Sequence, residues 1–230
     1  MSDVGEGSTL AKPQVQAKPQ VQIDIVSDVV CPWCYIGKRH LEAALPELRD
    51  VETTIHWRPY QLDPTIPPGG LDRKAYIERK FGDRAPQIYE RLTEAGRGAG
   101  LDLAFDRIRR SPNTLDAHRL IRWAWSAGKQ SDVVESLFRA FFVEGEDIGD
   151  REVLASRAVA VGMDGEVVLR LLHEGADTDV VHGEIDQARS LGVTGVPFFI
   201  LAGRIGVSGA QPPDVLARAI AKAMEPPDEA

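Results

Sequence analysis

The chain contains only two cysteines, Cys31 and Cys34, and they are separated by a single proline and tryptophan in the run DVVCPWCYIGKR. That spacing constrains everything else. As a staple it is badly placed: a bridge closing a four-residue loop contributes only about 2 kcal/mol in the loop-entropy picture, against nearly 5 for a loop of about a hundred residues. As a zinc site it is half complete, because there is no second CxxC and no His-x3–5-His pair. His40, His56, His118, His173 and His182 are scattered along the sequence, and zinc would need two copies of the chain to share their half-sites. No metal ligand is assigned.

The flanking pattern favours redox chemistry. Val21, Ile23 and Ile25 alternate with Gln22 and Asp24, as in a strand whose end turns wholly apolar. After the CxxC, Cys34, Leu41, Ala44, Leu45 and Leu48 recur at helical spacing, and Pro46 ends the helix. Proline is favoured at the first helical position, so Pro32 makes Cys31 the capping residue. There the unpaired amides and the helix dipole favour a thiolate. Cys34, one turn further in, faces the core. The expected division of labour follows: Cys31 exchanges with a partner sulfur and Cys34 resolves the mixed disulfide. Trp33 offers an aromatic rim beside Cys31, and Lys38 and Arg39, on an exposed helix face, either add positive potential or stay solvated and inert.

A second strand is expected over VETTIHWRPYQL (51–62), closed by Pro59. From Leu71 to Gly192 the pattern is helical nearly throughout. Asn113, Ser131, Asp150 and Asp164 read as caps, and one helix runs from about Ala176 to Leu191, stopping at Gly192. Trp123, Trp125, Phe138, Phe141 and Phe142 sit at helical spacing and read as core. An apolar strand VPFFIL (196–201), a turn at 202–204, a strand from Ile205 and a helix after Pro212-Pro213 complete the order. A proline opening a strand beside the CxxC helix would leave the main chain of Val196 free to pair with an extended substrate.

The divisions are therefore 1–20, an unpacked arm carrying a duplicated AKPQVQ; 21–70, a βαβ half; 71–192, a helical insertion; 193–224, a ββα half; and 225–230, a frayed tail. With 27 Lys and Arg against 35 Asp and Glu, the net charge is −8, and no basic run suggests a nucleic-acid partner. No stretch approaches the ~18 apolar residues of a membrane span. The first residues lack the basic and apolar regions of a secretory signal, so the expected compartment is the cytoplasm. Such a compartment suits a catalytic pair better than a structural one.

CPWC after the first strand, GVPFF (195–199) before the third, and a helical block between them resemble the DsbA-type thioredoxin fold, an α/β fold with a large all-helical insertion between its βαβ and ββα halves. WRPYQLDP (57–64), SPNTLDAHRLIRWA (111–124), AFFVEGEDI (140–148) and VSGAQPPDVL (207–216) are similar to stretches of its FrnE-like branch, and the resemblance spans about residues 21–224. It implies a thiol–disulfide oxidoreductase in which Cys31 is the nucleophile, Cys34 resolves and Pro197 is cis. It places Asn113 and His118 near the site, and Gln211 at its edge. The implied partners are disulfide or dithiol proteins and peptides, or glutathione, with no permanently bound cofactor. His118 has two readings: a residue tuning Cys31, or a packed, hydrogen-bonded helix residue.

Two rival classes stand beside this one. The same fold carries 2-hydroxychromene-2-carboxylate isomerases and kappa-class glutathione transferases, which use glutathione as co-substrate on small organic molecules, typically with serine where Cys31 stands here. A holdase using the aromatic-rich insertion is the non-enzymatic alternative.

Overall fold

The computed structural model describes residues 18–226. Its centre is β1 (Gln20–Ser27), which pairs in parallel with β2 (Glu52–Pro59) on one side. On its other side β1 pairs antiparallel with β5 (Phe198–Leu201), which carries β6 (Ile205–Ser208) at the edge, so the order is β2-β1-β5-β6. Ile23 lies opposite Ile55 and Leu201, and Ile25 opposite Trp57 and Phe199. A strand flanked on both sides and packed on both faces reads as nearly continuous apolar sequence, which is why the Val21–Val26 alternation fades toward its C-terminal end.

The helix α1 (Pro32–Ala44) crosses over from β1 to β2, and α9 (Pro213–Met224) packs beside it. The expected face of α1 is buried at Cys34, Leu41 and Ala44, while Leu45 begins a short 3-10 turn that contains Pro46. Tyr35 and Lys38 are buried as well, because the helix Gln130–Arg139 of the inserted segment covers that side of α1, while Gly37 is buried against Pro197 and Phe199.

That inserted segment runs through α2 (Arg73–Phe81), α3 (Ala85–Gly98), α4 (Leu115–Ser126), α5 (Gln130–Arg139), α6 (Arg151–Ala160), α7 (Gly165–His173) and α8 (Thr178–Ser190). It is not helical throughout: β3 (Leu71–Asp72) and β4 (Arg110–Ser111) pair antiparallel and lie against α2. Phe138, Phe141 and Phe142 are fully buried, each contributing on the order of 2–3 kcal/mol. Trp125 departs from expectation. It is 41% exposed and stacks on His56 with ring centroids 4.1 Å apart, because its position on α4 faces the outer end of β2 rather than the core.

The expected caps divide in the same way. Asp150 and Asp164 accept from the amides of Glu152 and Val167 as caps do. Ser131 does not cap α5, which starts one residue earlier. Its hydroxyl instead accepts from Trp57 Nε1 at 3.2 Å, next to a buried Gln130 that bonds the main-chain N–H and C=O of Trp57. Gln130 thereby satisfies the open edge of β2. The α4 cap is Thr114 rather than Asn113, whose Oδ1 accepts from the Leu115 amide one residue further back, as an Asx turn. The last inserted helix begins at Thr178, and Gly192 follows it at φ 84°, a conformation glycine adopts without strain.

A charged cluster fixes α1 against α5. Glu135 receives the Tyr35 hydroxyl at 2.9 Å, the Lys38 ammonium at 2.7 Å and the Arg39 guanidinium, while Glu42 holds the other side of both cations. The Tyr35 ring stacks on Phe138 at 4.8 Å. Lys38 is buried, so its charge and that of Arg39 are spent on Glu42 and Glu135 rather than on Cys31. Burial and the Glu135 charge push the Tyr35 phenol up to about 12, so it stays a donor. Burial alone would raise Glu135, but the hydrogen bonds and charges of Lys38, Arg39 and Tyr35 outweigh it and hold the carboxyl below its ordinary 4.5. A depressed carboxylate stabilises the fold fully above its unfolded pKa, and that stabilisation is lost as pH falls through the folded value. Glu135→Gln is expected to destabilise the protein by about 1–3 kcal/mol at neutral pH. The gap in melting temperature should be fully open above about pH 5 and close toward acid; a gap constant with pH would contradict this account.

Candidate active site

Where β1 runs out, Ser27 and Asp28 interrupt an apolar stretch, and the chain turns into α1. Cys31 has the extended backbone of a capping residue (φ −92°, ψ 112°), with Pro32 as the first helical residue. Its amide donates to the Asp28 carbonyl at 3.0 Å, and its own carbonyl receives the amides of Cys34 and Tyr35 at 3.0 and 3.4 Å. Both thiols are free. Cys31 is thus held at the positive end of α1, where first-turn amides have no carbonyl partner inside the helix.

Over it lies the other end of the chain. The Val196–Pro197 peptide is cis, and the Cys31 thiol donates to the Val196 carbonyl at 3.6 Å. Among the described residues the Val196 amide donates no hydrogen bond. Pro197 packs on α1 at Gly37, where an added Cβ would lie 2.9 Å from the proline ring and 3.4 Å from the Phe199 ring. Gly37 is the residue that lets β5 approach the helix. Sequence reasoning passed over it, because a single glycine inside a helix signals nothing until its neighbour across the fold is known.

The two sulfurs differ. Cys34 is sealed, and burial pushes its thiol well above the ordinary range. The adjoining Cys31 sulfur reinforces the shift by hydrogen bond and charge, while the Ser27 hydroxyl and the Asp28 backbone oppose it. Cys31 itself is only 4% exposed, whereas Trp33 between them is 43% exposed. Trp33 is thus the one exposed residue of the CPWC run.

The remaining expected residues separate into near and far. His118 is buried behind the turn. Its Nε2 lies 2.9 Å from the Tyr60 carbonyl and 3.4 Å from Asp28 Oδ1, with no hydrogen bond to either cysteine. Asn113 accepts from Gln61 at 3.1 Å and donates to the Ile66 carbonyl at 2.6 Å, so its amide latches the loop after β2 to the start of α4. Gln211 lies against α1 further along: its carbonyl meets His40 Nδ1 at 2.9 Å and its side chain returns to the Ser208 carbonyl. The structure thus brings Cys31, Pro32, Trp33, Cys34, Val196 and Pro197 together, sets His118 one shell behind, and leaves Asn113 and Gln211 in supporting contacts. Asp28, buried to 1%, was missed, although a charged residue inside SDVVC was the available signal. Among the described residues no cluster of three or more His, Cys, Asp or Glu side chains forms a metal site, and no helix is long and apolar enough to cross a membrane.

The fold recurs in known proteins. The DSBA-like thioredoxin domain profile matches residues 22–221. A probable DsbA oxidoreductase from Streptomyces coelicolor is 31% identical and superposes with a TM-score of 0.81, covering 91% of this chain and 93% of its own. The uncharacterised protein YwbO of Bacillus subtilis is 29% identical over 205 residues, 87% of this chain and 96% of that protein. The cytosolic disulfide reductase DsbM of Pseudomonas aeruginosa, solved with GSH, shares the fold at 19% identity and a TM-score of 0.59, over 87% of this chain and 98% of its own.

Gly37→Ala tests the approach of β5 to α1. Helix propensity alone would make it stabilising by up to about 1 kcal/mol; the overpacked contact with Pro197 should instead destabilise by about 1–3 kcal/mol. A chemical denaturation midpoint equal to or above that of the unsubstituted protein would show that the contact is slack.

Proposed function

Because the chain belongs to the DSBA-like thioredoxin domain family, we propose that it is a thiol–disulfide oxidoreductase acting through Cys31 and Cys34, in the FrnE-like branch that its sequence stretches resemble. The observation that carries this reading is the asymmetry of the pair: Cys31 caps a helix under the Val196 carbonyl, and Cys34 is sealed one turn inside.

In the reducing direction, the Cys31 thiolate attacks one sulfur of a substrate disulfide. A mixed disulfide forms, and the other substrate sulfur leaves as a thiolate. Cys34 then gives up its proton and attacks the Cys31 sulfur, so the enzyme becomes the Cys31–Cys34 disulfide and the substrate takes both electrons. The oxidising direction is the exact reverse, and its balance is set by the reduction potential. Two of the causes that raise Cys34, hydrogen bonding and repulsion by the Cys31 sulfur, concern the free dithiol. Once Cys31 is tied up as a neutral mixed disulfide, the charge repulsion is gone, and the resolving thiol ionises more readily when it is needed. The amide of Val196 and the exposed face of Trp33 would align an extended peptide across Cys31. Substrates are disulfide or dithiol proteins and peptides, or glutathione. The reading needs no permanently bound cofactor and places the protein in the cytoplasm.

The test is catalysed exchange with a disulfide-bonded protein substrate. Cys31→Ser and Cys34→Ser should each fall to the background rate, and Cys34→Ser alone should accumulate a mixed disulfide that reductant reverses. Activity surviving both substitutions on a glutathione-linked small molecule would replace this reading with the isomerase or transferase one. Equilibration with defined glutathione ratios gives the potential, and with it the direction.

A further inference from the structure

Between Pro32 and the inserted helices α2 and α3 lies a cavity of about 110 Å³. Its walls are largely apolar, with Pro32, Ile77, Leu92 and Phe105 among them, and Leu62, which is 41% exposed, belongs to its lining. One charge in it is unanswered. Arg73, at the start of α2, gives one terminal nitrogen to the Ser111 hydroxyl at 3.3 Å and the other to the Tyr89 hydroxyl at 3.2 Å. Its guanidinium carbon lies 5.8 Å from the Phe141 ring centre. Every one of these partners is neutral. Arg73 Nε is buried without a hydrogen bond, and among the described residues no carboxylate lies within 4 Å of the guanidinium. A guanidinium cannot shed its charge at any accessible pH, and a buried donor left unpaired is costly.

We propose that this cavity is a binding site for a small monocarboxylate with an apolar body, the carboxylate meeting Arg73 and the body filling the space beside Pro32. Size bounds the body: a 150 Å³ apolar cavity accepts benzene, so about 110 Å³ holds nothing larger than a branched alkyl or single phenyl group. Charge sets the number of carboxylates. Asp28 and Asp63 also line the cavity, and Asp28 Oδ1 has no hydrogen-bond partner, so a second anion on the ligand would be repelled. Lys80, the other cation of the lining, is turned to the Tyr76 hydroxyl at 2.9 Å. Neither Val196, Pro197, Trp33 nor a cysteine lines this space. The site therefore adjoins the exchange groove only through Pro32 and its neighbours in the turn, and it does not depend on the dithiol reading.

The experiment is titration of the Cys31→Ser, Cys34→Ser double variant with 3-methylbutanoate and phenylacetate, and with the corresponding amides, followed by amide and guanidinium NMR shifts. Thiol chemistry is thereby removed from the measurement. The acids should shift resonances of Arg73 and Tyr89 and bind roughly tenfold more tightly than the amides, the margin of a charge-assisted hydrogen-bond pair. Arg73→Gln should erase that preference and Arg73→Lys should keep part of it. If Arg73→Gln does not fold, Leu62→Trp, which enlarges a lining residue and leaves Arg73 in place, should weaken binding of acid and amide alike. Equal affinity for acid and amide, no binding up to about 10 mM, or binding undiminished by Leu62→Trp would overturn the proposal.

Discussion

A cysteine that begins a helix must use its own main chain to close the first turn. Cys31 does so: its amide is tied back to Asp28 and its carbonyl receives Cys34 and Tyr35. With the backbone committed, the side chain cannot swing into the core, and it is left at the end of the helix where amides lack partners. Pro32 makes the arrangement cheap, because the position it fills has no use for an N–H. The rest of the structure either holds that turn in place or lies over it.

The cover comes from far away in sequence. Val196 is 165 residues from Cys31, yet its carbonyl is fixed over the thiol because Phe198 pairs with Val26 on the central strand only a few residues from the turn. The strand that leads into the helix and the strand that follows Pro197 are therefore neighbours in one sheet, and their register sets the spacing between sulfur and carbonyl. Gly37 removes the last obstacle to that approach. On the opposite flank the Glu135 cluster ties the same helix to α5. Helix α1 is thus gripped from the sheet, from the insertion and from the loop before β5, which suits a site whose two sulfurs must keep one separation through repeated exchange.

Legibility in the sequence followed the range of the interactions. CPWC, the strand alternation before it, GVPFF and the caps at Asp150 and Asp164 are decided within a few residues, and the structure has each where local rules put it. Ser131 and Trp125 failed because each answers to β2, some 70 residues earlier in the chain: a serine beside a tryptophan N–H is more useful as an acceptor than as a cap, and a tryptophan opposite His56 stacks instead of burying. Asn113 was misplaced by one residue, since an Asx turn and a cap draw on the same side chain and the same amides. Lys38 and Arg39 looked solvated because the carboxylate that claims them, Glu135, lies on a helix whose packing no local pattern reveals. Asp28 and Gly37 share that limit: one is a charge and the other a missing side chain, and both acquire meaning only from partners across the fold.

Sealing Cys34 has a consequence for how contact and chemistry would be divided. A partner cannot reach Cys34, which is 1% exposed, and reaches Cys31 only through the 4% of it left open, while 43% of Trp33 faces solvent. Recognition therefore belongs to surfaces beside the sulfurs, and the sulfurs respond only to what those surfaces align. Pro32 stands at the junction, its main chain starting the helix that carries Cys31 and its ring forming part of the cavity wall under α2 and α3.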